Sequence, residues 1–177
     1  SCIAALSRDL PAGVFLAVKE TYEAVGRRPE DFYGQLKDFQ NVVILDMMEL
    51  GLNVVRQADA VATITGTGGF EAAALGKPVP TFGHHNQYNF LDHVNAVRDE
   101  SCLRGYLKTA TDSTYDRHKT QADGARFLEA TINCSFDLGS FDHMGTEETD
   151  PALTEIVVNA LVDDLVERMP AGRECAL

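Results

Sequence analysis

Short, almost uninterrupted apolar runs alternate along the chain with segments whose apolar residues recur every three or four positions. The runs are Gly13–Val18, Val42–Leu45, Ala60–Thr65 and Val79–Phe82. Runs this short, rich in Val and Ile, suit strands buried on both faces. The segments between them read as helices. Pro29–Phe39 sets Phe32, Leu36 and Phe39 on one stripe, with Pro29 near a first turn. Glu49–Ala58 places Leu50, Val54, Val55 and Ala58 at helical spacing. Phe70–Leu75 stops at Gly76, with Pro78 just beyond, as helices commonly stop. The predicted order is β-α-β-α-β-α-β, an α/β arrangement with a parallel sheet and right-handed crossovers.

Beyond the fourth strand the pattern predicts helices over Phe90–Arg98, Tyr115–Ile132 and Asp150–Met169. In the last, Asp150 is placed to cap and Pro151 to open the first turn. Leu153, Val157, Leu161, Leu165 and Met169 then recur at heptad-like spacing until Pro170. Phe136–Glu148 reads as an acidic loop. The 177 residues fit one domain, with a core over about residues 11–100 and a helical C-terminal region over about 113–170.

Composition narrows the function classes. Apolar residues make up 45%, enough for a real core, and the net charge is -12. That acidity argues against nucleic acid, which needs a basic face, but not against a small anion held by local fields. No run approaches the ~18 apolar residues of a membrane span. Cys2, Cys102, Cys134 and Cys175 lie far apart, with no CxxC pair and no zinc spacing. A reduced, cytoplasmic setting is expected. The chain opens on Ser1 without signal-peptide character, so it is expected to be cut from something longer.

Chemistry concentrates in Ala62–Phe82. A buried run enters Thr65-Gly66-Thr67-Gly68-Gly69, and a short helix follows. Glycines let a ligand approach the backbone, and the first amides of the helix point at the loop with the dipole behind them. With the Thr65 and Thr67 hydroxyls this makes a phosphate cradle. It is neither a Walker loop, because Lys77 follows the helix, nor a GxGxxG fingerprint. The same turn also serves as a ligand-free strand-to-helix connection. Glu71 reads either as a first-turn acid or as an acceptor for ribose hydroxyls. Lys19 and Glu20 end the first strand, at the edge where ligands of open α/β sheets gather. There Lys19 can meet a phosphate, or pair with Glu20. The loop Gly83–Tyr88 falls at the same edge, offering His84, Asn86 and Tyr88 to a sugar or base. His84 and His85 match no metal-site spacing, so no metal is assigned.

These residues carry a resemblance. Thr65-Gly66-Thr67, Phe70-Glu71-Ala72, Gly76-Lys77-Pro78-Val79 and Phe82-Gly83 resemble the donor-binding half of GT-B glycosyltransferases, in particular those of bacterial capsule and surface-polysaccharide synthesis. A second block agrees: Val18-Lys19-Glu20, Gly26-Arg27-Arg28-Pro29, Phe32-Tyr33 and Asn41-Val42. The resemblance covers roughly Pro11–Tyr88, about half the chain. It implies a Rossmann-like parallel sheet flanked by helices, a single GT-B-type half with extra C-terminal helices. It further implies a nucleotide-sugar donor as substrate, no separate cofactor and a glycan acceptor. Thr65–Gly69 would hold the donor phosphate, Glu71 the ribose, and Lys19 would offset charge. The family's His-Pro after Lys-Glu is Thr21-Tyr22 here, and the residue eight after Glu71 is Val79, so the Glu-x7-Glu pair of some retaining enzymes is missing. The acceptor-side domain, which usually supplies the catalytic base, has no room in this length. No catalytic residue is assigned, and an N-terminal domain or a second copy of the chain would complete the cleft. Two alternatives share the same features: one half of a nucleotide-sugar 2-epimerase, and a non-catalytic binding or assembly module.

Overall fold

The computed structural model describes residues 2–24, 26–112, 115–135 and 150–168. Two compact units divide the chain, Ser1–Glu129 and Ala130–Leu177. The first holds every strand among the described residues. Strands β1 (Leu16–Val18) and β2 (Val42–Ile44) pair in parallel, Leu16 against Val42. Strands β3 (Val79–Thr81) and β4 (Val94–Ala96) also pair in parallel, Val79 against Val94. Among the helices, α1 spans Cys2–Asp9, α2 Phe32–Lys37, α3 Gly51–Gln57, α4 Thr67–Ala74, α5 Leu103–Ala110, α6 Arg117–Asn133 and α7 Pro151–Arg168. The fold class is mixed α/β with parallel strands. The parallel layer, expected as one sheet, is two separate ladders among the described residues.

The loss of the strand expected over Ala60–Thr65 has a local cause. Ala60–Thr65, expected as a strand, runs beside β3 but makes only the single bridge Thr63 to Thr81. The Val61 amide donates to the Pro78 carbonyl and the Thr63 amide to the Pro80 carbonyl. The returning rung next to Val61 would come from the amide of residue 80, which is proline and has none. One missing donor therefore reduces a predicted strand to a bridge.

Phe90–Arg98 is not a helix: it contains β4, and this corrects the sequence expectation. The His93 carbonyl accepts from Val79, and the Val97 amide donates to the Thr81 carbonyl. Those rungs with β3 satisfy backbone groups that a lone short apolar run could equally have satisfied as a helix. Helices α1 and α5 were not expected. They pack together through Ala5, Leu6, Leu103 and Leu107, with Val97 of the strand end beside them. The other core gathers Val55, Ala72, Ala73, Val79, Tyr88, Val94 and Phe127. Buried His93 ties these elements: its Nε2 donates to the Ala73 carbonyl at 2.8 Å, while the Tyr106 hydroxyl donates to its backbone carbonyl at 2.9 Å.

In the second unit, α7 is capped as expected, Asp150 Oδ1 accepting from the Ala152 amide at 2.9 Å. Of its heptad positions Val157 is buried, whereas Leu161 and Leu165 are exposed. Met169, the Phe136–Glu148 loop and Cys175 lie outside the described residues. No helix among the described residues is long and apolar enough to cross a membrane.

Candidate functional site

The turn before α4 is held by the side chains of Thr63, Asn86 and Thr81. Thr63 Oγ1 accepts the Gly66 amide at 3.0 Å, which bends the chain away from its strand direction. Gly66 then caps α4 in an extended conformation, with no side chain bonding its first amides. The Thr67 and Gly68 amides have no acceptor within the helix, because no residue precedes them by a full turn. Gly69 is required by packing, since a Cβ there would stand 2.4 Å from Thr63 Cγ2 and from the Tyr88 hydroxyl. Across the turn, Asn86 Nδ2 donates to the Ile64 carbonyl at 2.9 Å and to Thr81 Oγ1 at 2.8 Å. It thereby holds the loop after β3 against the loop before α4.

A cavity of about 500 Å³ lies between the two ladders. Leu16 and Ala17 of β1 line it, as do Val61–Thr63. Around its polar part the fold brings together Lys19, Thr21, Gly66, Thr67, Gly68, Gly69 and Glu71. Lys19 Nζ donates to the carbonyls of Glu20 at 3.1 Å and Met47 at 3.3 Å, so its charge stays at the ends of β1 and β2. A second, more open cavity of about 530 Å³ lies on the other side of the turn, lined by Thr65, Gly66, Thr67, His85 and Tyr88 among others. His84 is exposed and lines neither cavity. Its neighbour His85 faces the second one, a position that adjacent residues of a loop leave undetermined in sequence.

Glu20 is placed differently from the other expected binding residues. Its side chain is only 7% exposed and is held by Arg28 Nε and the Tyr33 hydroxyl, both donating to its carboxylate. Arg28 also lies 5.1 Å from the Phe32 ring centroid, over its face. Burial alone would raise the Glu20 pKa, but the bonds from Tyr33 and Arg28, with the Arg28 charge, outweigh it and hold the carboxyl below its usual range. A depressed folded pKa contributes stability above the unfolded value, and that contribution is lost as pH falls through the folded one. Denaturant unfolding is therefore expected to show wild type losing stability between about pH 5 and pH 2. Part of that loss should be absent in Glu20→Gln; identical pH profiles would contradict the buried pairing. Lys77 is likewise spent internally: Nζ donates to the Ala58 carbonyl at 2.6 Å, at the end of α3, and burial pushes its pKa down.

No group of three or more His, Cys, Asp or Glu among the described residues is arranged to hold a metal ion. The arrangement can present backbone amides, hydroxyls and one ammonium to an anion, with a carboxylate alongside. Compared with known proteins, the chain matches no protein-family model, no curated protein and no solved structure.

Proposed function

We propose that the chain is a nucleotide-sugar-binding domain, the Rossmann-like donor half of a GT-B glycosyltransferase of surface or capsular polysaccharide synthesis. One observation carries the reading: Lys19, at the end of β1, and Gly66–Gly69 with Glu71, at the start of α4, line the same cavity of about 500 Å³. Its volume is that of an ordinary small-molecule site. The α4 amides and the helix dipole favour a phosphate there, and Lys19 adds positive charge to the same cavity. Glu71, with no hydrogen bond to its side chain among the described residues, accepts from ribose hydroxyls. Transfer of the sugar to a glycan acceptor places negative charge on the departing nucleotide. Preorganised amides and a lysine stabilise that charge. The acceptor side, and with it a catalytic base, comes from a further domain or partner, in a cytoplasmic setting.

A thermal-shift panel of CMP, UDP, GDP and their sugars tests this. A ligand at ~100 Kd should stabilise the protein by roughly 2.7 kcal/mol. Thr67→Ala and Glu71→Ala are expected to reduce that shift. No shift with any nucleotide at millimolar concentration sinks the reading, and a shift that survives both substitutions moves the ligand elsewhere.

A second reading has its own observation. Val43 and Ile44 of β2 are exposed, as are nearby Met48 and Leu50. An apolar strand with one unpaired edge suits an assembly module completed by another chain. A stable dimer that covers Gly66–Gly69 and excludes nucleotides would favour it.

A further inference from the structure

Lys19 rests on two backbone carbonyls. An ammonium has three donors. Two of them go to the Glu20 carbonyl at 3.1 Å and the Met47 carbonyl at 3.3 Å. The third is left for the cavity that Lys19 lines. The Met47 carbonyl shares a planar peptide with the Met48 amide, which donates to Asp46 Oδ1 at 2.9 Å. That side of the support is fixed by its own turn.

The Glu20 side chain is the natural rival of any anion brought to Lys19. It is the next residue in the chain, and its carboxyl is held ionised. Yet both of its oxygens are taken elsewhere. Oε1 accepts from Arg28 Nε and Oε2 from the Tyr33 hydroxyl. The two donors are themselves packed, since Arg28 lies over the Phe32 ring, and that ring meets Tyr33 edge-on at 5.3 Å between centroids. None of Glu20, Arg28 and Tyr33 lines either cavity, so whatever they do for a ligand passes through Lys19. Glu20 is 7% exposed, and water screens a charge little at such a place. Without its cation, the Glu20 anion would offset the field of Lys19 and oppose a phosphate.

We propose that Arg28 and Tyr33 are positioning residues of the phosphate site: by taking both oxygens of Glu20 they keep its carboxylate from Lys19, whose charge and third donor stay free for the donor phosphate. The inference rests on the nucleotide-sugar reading and adds what keeps its lysine available.

Calorimetric titration with CMP, UDP and GDP tests it in wild type, Lys19→Met, Arg28→Gln and the double variant Arg28→Gln with Glu20→Gln. Lys19→Met is expected to weaken the nucleotide that binds best about tenfold or more, the size of a lost hydrogen bond to a charged group. Arg28→Gln should weaken it about five- to tenfold, although Arg28 does not touch the cavity. Adding Glu20→Gln should bring affinity back to within about twofold of wild type, because acid and counter-charge leave together. Tyr33→Phe, with and without Glu20→Gln, runs the same comparison should Arg28→Gln fail to fold. A clamp that serves the fold alone would be damaged further by the second substitution, so a loss that Glu20→Gln does not relieve overturns the proposal. Unchanged affinity in Lys19→Met, or in folded Arg28→Gln, also overturns it while nucleotide binding stands. Absence of binding by all three nucleotides at millimolar concentration overturns both.

Discussion

Gly76→Ala is expected to cost about 2–5 kcal/mol of unfolding free energy and to lower the melting temperature by roughly 6–15 °C. Two independent effects add at this position. Gly76 has φ +68°, the left-handed conformation that ends α4, and a side chain there costs about 1–2 kcal/mol. The alanine Cβ would also stand 2.4 Å from the Thr120 carbonyl and the Gln121 amide of α6. Those are backbone atoms and cannot swing aside as a flexible side chain would, so overpacking adds about 1–3 kcal/mol. Gly124 is the other half of the same contact, its Cβ position lying 2.6 Å from the Ala73 and Ala74 carbonyls. Gly124→Ala lacks the φ cost and gains helix propensity, so it should be milder. Because the two glycines meet, the double variant should lose less than the sum of the singles. Denaturant titration of the three proteins measures this. A Gly76→Ala loss below about 0.5 kcal/mol would mean that α4 and α6 do not approach as described.

That glycine was readable in the chain, because a helix end needs one there and Pro78 follows. The neighbouring proline was harder to interpret. Pro80 lies inside the apolar run Val79–Phe82, and its cost falls on a different segment, Ala60–Thr65, which loses its ladder rung. A one-dimensional pattern does not say which neighbour a missing amide faces. β4 escaped for a related reason: Val94–Ala96 is strand only because β3 lies alongside to take its backbone groups. In α5, Leu103, Leu107 and Ala110 repeat at helical spacing and are all buried, but Gly105 interrupts the pattern with a poor helix former.

The candidate site divides along the same line. Thr65–Gly69 and Glu71 were legible because a Thr- and Gly-rich turn between a strand-like run and a helix is a local feature. Lys19 could be placed at a strand end from sequence, and the structure puts it on the same cavity as that turn. What pairwise distance alone decides was not legible. Glu20 is taken by Arg28 and Tyr33, which are eight and thirteen residues away. His85 rather than His84 meets the second cavity, and Thr63, silent in any motif, bends the turn.

Thr81 is the residue on which both loops of the site depend, and Thr81→Val is expected to destabilise the protein by about 2–4 kcal/mol. The side chain is fully buried in β3. Its Oγ1 accepts from the Gly83 amide at 3.1 Å and from Asn86 Nδ2 at 2.8 Å, and it lies 3.2 Å from the Ile64 carbonyl, to which it donates. Valine keeps the shape and removes only the oxygen. The Gly83 amide then has no partner in a buried place, and Asn86 loses one of the bonds that tie the Gly83–Tyr88 loop to the turn before α4. An orphaned buried donor costs about 1–3 kcal/mol beyond the bond itself. Thr81→Ser is the informative contrast, because it keeps the oxygen and removes a methyl worth about 0.8 kcal/mol. Thermal and denaturant unfolding should therefore rank wild type above Thr81→Ser, and Thr81→Ser above Thr81→Val. The reverse order of the two variants would show that packing, and not the hydroxyl, fixes these loops. With the expected order, Thr81→Val should also weaken any ligand bound on the Tyr88 side of the turn more than one bound on the Lys19 side. The loop carrying His85 and Tyr88 is the one that loses its anchor, while the first turn of α4 keeps Thr63.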